Sequence, residues 1–136
     1  MNRKLPIFEL MTPSPHTIAS EMTLSKAQEM MRDHHIRHLP VQHGGKLVGV
    51  LTERDVRLAF SVHPSAKDLP VDDVMVEEPY SVEGETPTID VLKEMVAHKY
   101  GCAIIRNKQG RAIGIFTLLD AAAALARVLS AEGSDR

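Results

Sequence analysis

The chain has 136 residues, of which 43% are hydrophobic and 25% charged, and its formal net charge is −2. Charges of both signs are dispersed, tryptophan is absent, and there are only three phenylalanines and two tyrosines; this argues against a nucleic-acid footprint, a polybasic membrane anchor or an aromatic stacking platform. The single cysteine, Cys102, excludes an intramolecular disulfide framework and suits a reducing, cytoplasmic setting.

In chain order, the first nine residues begin basic, but Pro6 and Glu9 break their apolar run, so no signal-peptide core is expected. No apolar run approaches the ~20 residues of a membrane span. A short extended segment, Thr17-Ile18-Ala19, precedes a helix whose Ala27, Met30, Met31 and His34 fall on one face of a 3.6-residue period. A strand over 36–41, a glycine turn at His43-Gly44-Gly45 and a strand over 46–51 read as a hairpin. The second strand is continuously apolar at its end, as expected for burial on both faces. A helix follows from Glu53 to about Val62. The connection over 63–74 holds Pro64 and Pro70, with a helical turn expected at 71–75.

The order then repeats. Ser81-Val82 is extended. Thr86 before Pro87 reads as an N-cap with proline at the first helical position, and Val91, Leu92, Met95 and Val96 form the apolar stripe. Strands over 101–105 and 111–116 flank the turn Lys108-Gln109-Gly110, and a helix runs from Leu118 to about Ser130. Residues 131–136 read as a frayed tail.

The repetition extends to single residues. Met11, Pro15, Thr17 and Ile18 align with Met75, Pro79, Ser81 and Val82 at a shift of 64, as do Met31 with Met95 and Val41 with Ile105. The stretch Gly49-Val50-Leu51-Thr52-Glu53-Arg54-Asp55 returns as Gly114-Ile115-Phe116-Thr117-Leu118-Leu119-Asp120 at a shift of 65. The fold class is therefore α/β (α+β), with two tandem β-α-β-β-α units over 7–63 and 75–130, a linker over 64–74 and a tail over 131–136.

On these residues, together with Arg37-His38-Leu39-Pro40-Val41 and Ala103-Ile104-Ile105, the sequence resembles the tandem CBS (cystathionine beta-synthase) domain pair. The resemblance implies two units packed with pseudo-twofold symmetry and clefts between them for adenosine-containing ligands such as AMP, ADP, ATP or, less favoured, S-adenosylmethionine. It also implies a homodimer and a regulatory role toward a protein target that the sequence does not name. A stand-alone module is expected, since the second copy ends the sequence.

Two readings of Thr52 and Asp55 remain open. Thr-x-x-Asp is a capping box, sufficient by itself to start a helix. The same free N–H groups and hydroxyl also favour a phosphate, with Asp55 turned to ribose hydroxyls; Thr117 and Asp120 repeat the set. The copies differ in charge. Copy one carries Arg37, His38 and Arg54, so a phosphorylated adenine nucleotide is expected there. Copy two has Gly101, Cys102 and Ala103 on its strand and Leu119 beside Asp120, so it should be empty or take a less charged adenosine compound. Arg37 has its own alternative, a solvated strand end or an ion pair.

By resemblance, His16 and Thr17 would approach the second site, and Tyr80 and Ser81 the first, with Tyr80 over an adenine or simply half-buried in its strand. Cys102 on an apolar strand otherwise reads as a small hydrophobe. The cluster His34, His35, His38 and His43 lacks a completing Cys, Asp or Glu, so no metal site is expected. Ala121-Ala122-Ala123-Ala124 suits a dimer face or mere helix propensity. No catalytic constellation or phosphate-binding loop is present, so no enzyme activity and no cofactor are expected. The leading function is a nucleotide-binding, energy-sensing regulatory module. A ligand-free dimerisation or adaptor module is the alternative, and a metal or pH sensor is a third.

Overall fold

The computed structural model describes residues 4–134. Eight strands and four helices lie in the order β1 (Thr12–Pro13), β2 (Ile18–Ala19), α1 (Leu24–His34), β3 (His38–His43), β4 (Lys46–Thr52), α2 (Glu53–Val62), β5 (Val76–Glu77), β6 (Ser81–Glu83), α3 (Thr88–His98), β7 (Cys102–Arg106), β8 (Ala112–Thr117) and α4 (Leu118–Ser134). Single 3-10 turns occupy Ile7–Glu9, Ala66–Asp68 and Val71–Asp73. Each repeat contains the expected β-α-β-β-α order, but the compact units exchange their ends. One unit joins residues 15–79 with 108–112; the other joins residues up to 14 with 80–107 and those from 113 onward.

The first-repeat unit holds the sheet β2-β3-β4-β5. β2 runs parallel to β3 with Ile18 opposite Val41, and β3 and β4 form an antiparallel hairpin. Its loop residues Gly44 and Gly45 have φ of 58° and 79°, the paired left-handed conformation a tight hairpin requires. β5, which opens the second repeat in sequence, pairs with β4, Gly49 opposite Glu77 and Val50 opposite Val76. The core comprises Ile18, Leu24, Ala27, Met31, Leu39, Val41, Leu51, Val56 and Val71. Thr23 caps α1 by accepting a hydrogen bond from the Lys26 N–H, and α1 ends at His35 in the left-handed conformation.

The second-repeat unit holds the sheet β1-β8-β7-β6. Here β1, the opening of the first repeat, pairs antiparallel with β8, Thr12 opposite Ile115 and Pro13 opposite Gly114. Its core comprises Ile7, Val91, Met95, Ala103, Ile105 and Phe116.

Three sequence expectations shift. Thr86 does not cap α3: Pro87 takes the N-cap position with an extended ψ of 134°, and no side chain caps the helix. The Thr88 N–H donates instead to the Leu5 carbonyl at 2.8 Å, so the N-terminal segment supplies what a local cap would have supplied. β3 begins at His38, leaving Arg37 in the bend before it. The left-handed His35 and the Ile36 N–H bond to the Met31 carbonyl (3.0 Å) close α1 and delay the strand. Finally, α4 continues through Ser134 rather than fraying after 130, while Asp135 and Arg136 lie outside the described residues.

Candidate functional site

The hairpin register builds the first turn. His38 lies opposite Thr52 at the end of the β3–β4 ladder, and the Arg37 carbonyl accepts the Glu53 N–H at 2.9 Å. Arg37, His38, Thr52 and Asp55 are thereby brought to the start of α2, with Arg54 in its first turn. Thr52 is the N-cap of a reciprocal capping box: its Oγ1 accepts the Asp55 N–H at 3.1 Å, and Asp55 Oδ2 accepts the Thr52 N–H at 3.4 Å. With Glu53 bonded to Arg37, the Arg54 N–H is the first-turn amide that has no partner among the described residues.

The electrostatics of this turn are lopsided. Glu53 pairs with Arg57 one helical turn on, so it does not neutralise the turn. Arg37 and Arg54 are exposed, and among the described residues neither guanidinium enters an ion pair or hydrogen bond. The arrangement can attract an anion with two forked cations and an aligned amide. A groove of about 380 Å³ lies between α1 and α2, lined by Met31, Glu53, Val56, Arg57 and Phe60 among others; it reaches the turn at Glu53, and Thr52 and Asp55 are not among its lining residues.

The second turn repeats the backbone and changes the chemistry. The Leu118 N–H donates to the Gly101 carbonyl at 3.3 Å, as Glu53 does to Arg37. Thr117 and Asp120 form the same reciprocal pair, with the Thr117 N–H at 2.9 Å from Asp120 Oδ2 and the Asp120 N–H at 3.3 Å from Thr117 Oγ1. Gly101 and Leu119 bring no charge. Cys102 begins β7, and burial pushes its thiol up to about 11, so at neutral pH it is a protonated, poorly nucleophilic group. Ala103 is fully buried in the core and has no surface to offer.

Inside the units the flanking residues make the following contacts. His16 stacks on His34 in the first-repeat unit, with ring centroids 3.7 Å apart, and Thr17 is half-buried beside it in sequence. Tyr80 stacks on Tyr100 at 5.0 Å in the second-repeat unit, which is in turn 5.2 Å from the His98 ring. Burial, followed by the nearby Glu94 carboxylate, raises the Tyr80 pKa. Ser81 Oγ accepts the Arg106 Nε–H at 3.0 Å. His43 hydrogen-bonds the Ser20 hydroxyl at 3.1 Å and lies 3.7 Å from Glu21. Among the described residues no three His, Cys, Asp or Glu side chains converge as metal ligands.

Sequence reasoning overlooked the residues that lie over these turns from the exchanged strands. Met75 packs against Gly49 and Met11 against Gly114, and the Thr12 hydroxyl donates to Asp120 Oδ1 at 3.2 Å. The alignment of Met11 with Met75 was the available signal, but nothing local says which strand each methionine crosses.

The two repeats coincide with two matches to the CBS domain family model, over residues 7–62 and 71–127. The chain belongs to the CBS domain family. This CBS pair is 31% identical over 137 residues to a CBS domain-containing protein of Dictyostelium discoideum, covering 93% of this chain and 94% of that one. It is 34% identical over 104 residues, 76% of this chain, to an inosine-5'-monophosphate dehydrogenase of Korarchaeum cryptofilum, but spans only 21% of that protein's length. Among solved structures it is similar to a candidate acetoin utilization protein (AcuB) of Vibrio cholerae, with a TM-score of 0.85, 27% identity and coverage of 97% and 98% of the two chains. The CBS domain pair of protein MJ0100, solved with 5'-methylthioadenosine and S-adenosyl-L-methionine, has a TM-score of 0.81 at 21% identity, covering 96% and 99%. CBSX2 of Arabidopsis thaliana, solved with AMP, has a TM-score of 0.79 at 21% identity, covering 90% and 97%. At 21% identity the likeness is one of fold.

Proposed function

We propose that this CBS pair is a regulatory module that binds an adenosine-containing compound and passes the event to a protein target, without catalysis of its own. The observation that carries the reading is the turn at the start of α2, where an unclaimed amide adjoins the Thr52–Asp55 pair and the two residues that flank the turn, Arg37 and Arg54, carry exposed, unpaired guanidiniums. A phosphate is attracted to the amide and the guanidiniums. The carboxylate repels it and so faces the ribose hydroxyls. AMP, ADP or ATP is thus favoured over S-adenosylmethionine at this turn. The adenosine compounds bound by MJ0100 and CBSX2 support the ligand class. Binding can redistribute the conformations of the pair only by its differential affinity for them.

Thermal melts with AMP, ADP, ATP and S-adenosylmethionine test the reading. A compound at 100 times its dissociation constant adds about 2.7 kcal/mol, which raises the midpoint of a domain this size by several degrees. The reciprocal Thr52–Asp55 box favours one other reading, in which the turn serves only to cap α2. No shift with any of the four compounds selects it.

The proposed assembly is a homodimer. It is supported by the outward row on α4, where Leu118, Leu119, Leu125, Val128 and Leu129 are all more than half exposed, an apolar surface larger than scattered single residues make. Light scattering should return twice the 15.0 kDa chain mass. A monomer at micromolar concentration removes the dimer from the proposal.

A further inference from the structure

The two turns have the same backbone but different unspent hydrogen-bonding capacity, and the difference traces to one residue. At the first turn, Thr52 Oγ1 accepts from the Asp55 N–H and no acceptor among the described residues takes its proton. Asp55 uses only Oδ2, accepting from the Thr52 N–H. One hydroxyl donor and one carboxylate oxygen, Oδ1, remain available. At the second turn, Asp120 Oδ2 accepts from both the Thr117 N–H at 2.9 Å and the Thr117 hydroxyl at 3.2 Å, while Oδ1 accepts from the Thr12 hydroxyl at 3.2 Å. The threonine proton is spent, and of the carboxylate's roughly four acceptor sites three are taken, which leaves one on Oδ1, too few for the paired hydroxyls of a ribose.

Thr12 and Val76 occupy equivalent places. Thr12 lies opposite Ile115 in the β1–β8 pair, and Val76 lies opposite Val50 in the β4–β5 pair; Val50 and Ile115 are the aligned residues of the two glycine–threonine–aspartate stretches. Each is exposed and crosses the strand leading into the helix. In one copy it carries a hydroxyl and in the other a methyl. A hydroxyl at this place reaches the aspartate and holds the carboxylate with its other oxygen against the threonine; a methyl leaves the carboxylate held at one oxygen only.

We infer that Thr12 is a positioning residue that latches Asp120 and leaves it too few acceptor sites for the paired ribose hydroxyls of a nucleoside, so that of the two copies only the Thr52–Asp55 turn takes an adenosine compound. This rests on the nucleotide-binding reading above and adds to it which copy binds and what decides it. Two exchanges test it, each making one turn chemically like the other. Thr12→Val should free Asp120 Oδ1, and its β-branched side chain suits β1. Val76→Thr should place a hydroxyl against Asp55. Thr12→Ser keeps the hydroxyl and serves as the conservative rescue.

The experiment is ¹⁵N chemical-shift titration of the full chain with AMP and with 5'-methylthioadenosine, an uncharged compound that does not depend on the guanidiniums. In the wild type, the Thr52 and Asp55 amides should move and those of Thr117 and Asp120 should stay still. In Thr12→Val, the Thr117 and Asp120 amides should also respond to 5'-methylthioadenosine, and Thr12→Ser should return the wild-type pattern. Val76→Thr should weaken AMP at the first turn about tenfold. Responses at Thr117 and Asp120 in the wild type, or silence there in Thr12→Val while Thr52 and Asp55 still respond, would overturn the latch and leave the nucleotide reading standing. Silence of both turns in every protein would overturn both.

Discussion

Replacing Gly49 with alanine should lower the thermal midpoint by roughly 5–10 °C, corresponding to about 2 kcal/mol of overpacking. An alanine Cβ there would lie 2.9 Å from Met75 Cγ and 2.9 Å from the Val76 carbonyl oxygen, with Met75 Sδ closer still. A Gly→Ala change ordinarily gains ~0.4–1 kcal/mol by restricting the unfolded chain, so the sign depends on whether the neighbours can give way. A methionine side chain can, because it is unbranched and adaptable. The Val76 carbonyl cannot, because β5 is held to β4 by its ladder. The matching position in the other unit separates the two contributions. At Gly114 the three nearest atoms all belong to the Met11 side chain, so Gly114→Ala should cost less, about 1 kcal/mol. Met11→Ala should then relieve most of that cost in a double-mutant cycle, whereas Met75→Ala should relieve only part of the Gly49→Ala cost. Thermal or urea unfolding of the six variants checks this, and full rescue of Gly49→Ala by Met75→Ala would show that the backbone contact does not matter.

Arg37→Ala should weaken ADP about tenfold while leaving the unfolding midpoint within ~1 °C of wild type. The structural contribution of Arg37 is its backbone carbonyl, which accepts the Glu53 N–H and survives the substitution. The side chain is exposed and unpaired, so its loss removes no packing or ion pair from the fold. A charge-assisted hydrogen bond to a phosphate is worth about 1.5–3 kcal/mol; exposure to solvent places Arg37 at the lower end, which is about tenfold in affinity. 5'-Methylthioadenosine, lacking a phosphate, should bind both proteins alike. Calorimetric titration of ADP into the two proteins decides it, and equal affinities would remove Arg37 from the site.

Much of the site could be read from the residues because its chemistry is local. Thr-x-x-Asp after an apolar strand specifies a capped helix start within four residues, and both copies form that box. The charge contrast between Arg37 with Arg54 and Gly101 with Leu119 is likewise a property of aligned positions. What escaped the sequence depends on partners far along the chain. Strands of two residues, β1 and β5, are too short to show any periodicity, yet they cross both turns and bring Met11, Thr12 and Met75 to them. Thr86 followed by proline has the composition of an N-cap; the Leu5 carbonyl, more than eighty residues away, displaced it by satisfying the Thr88 N–H directly.

The glycine–threonine–aspartate stretch and its echo, by themselves, determined a doubled β-α-β-β-α chain with a capped helix start in each half and its cations gathered around the first. Periodicity, capping and charge act over a few residues, so the sequence carries them openly. The tertiary structure alone decided that each half is completed by the other half's opening strand. It therefore also decided that Thr12, a first-repeat residue, binds Oδ1 of the second copy's aspartate, while Val76 offers no such donor to Oδ1 of the first copy's. Which backbone groups pair across more than a hundred residues depends on the packing of whole strands, and no local pattern encodes it.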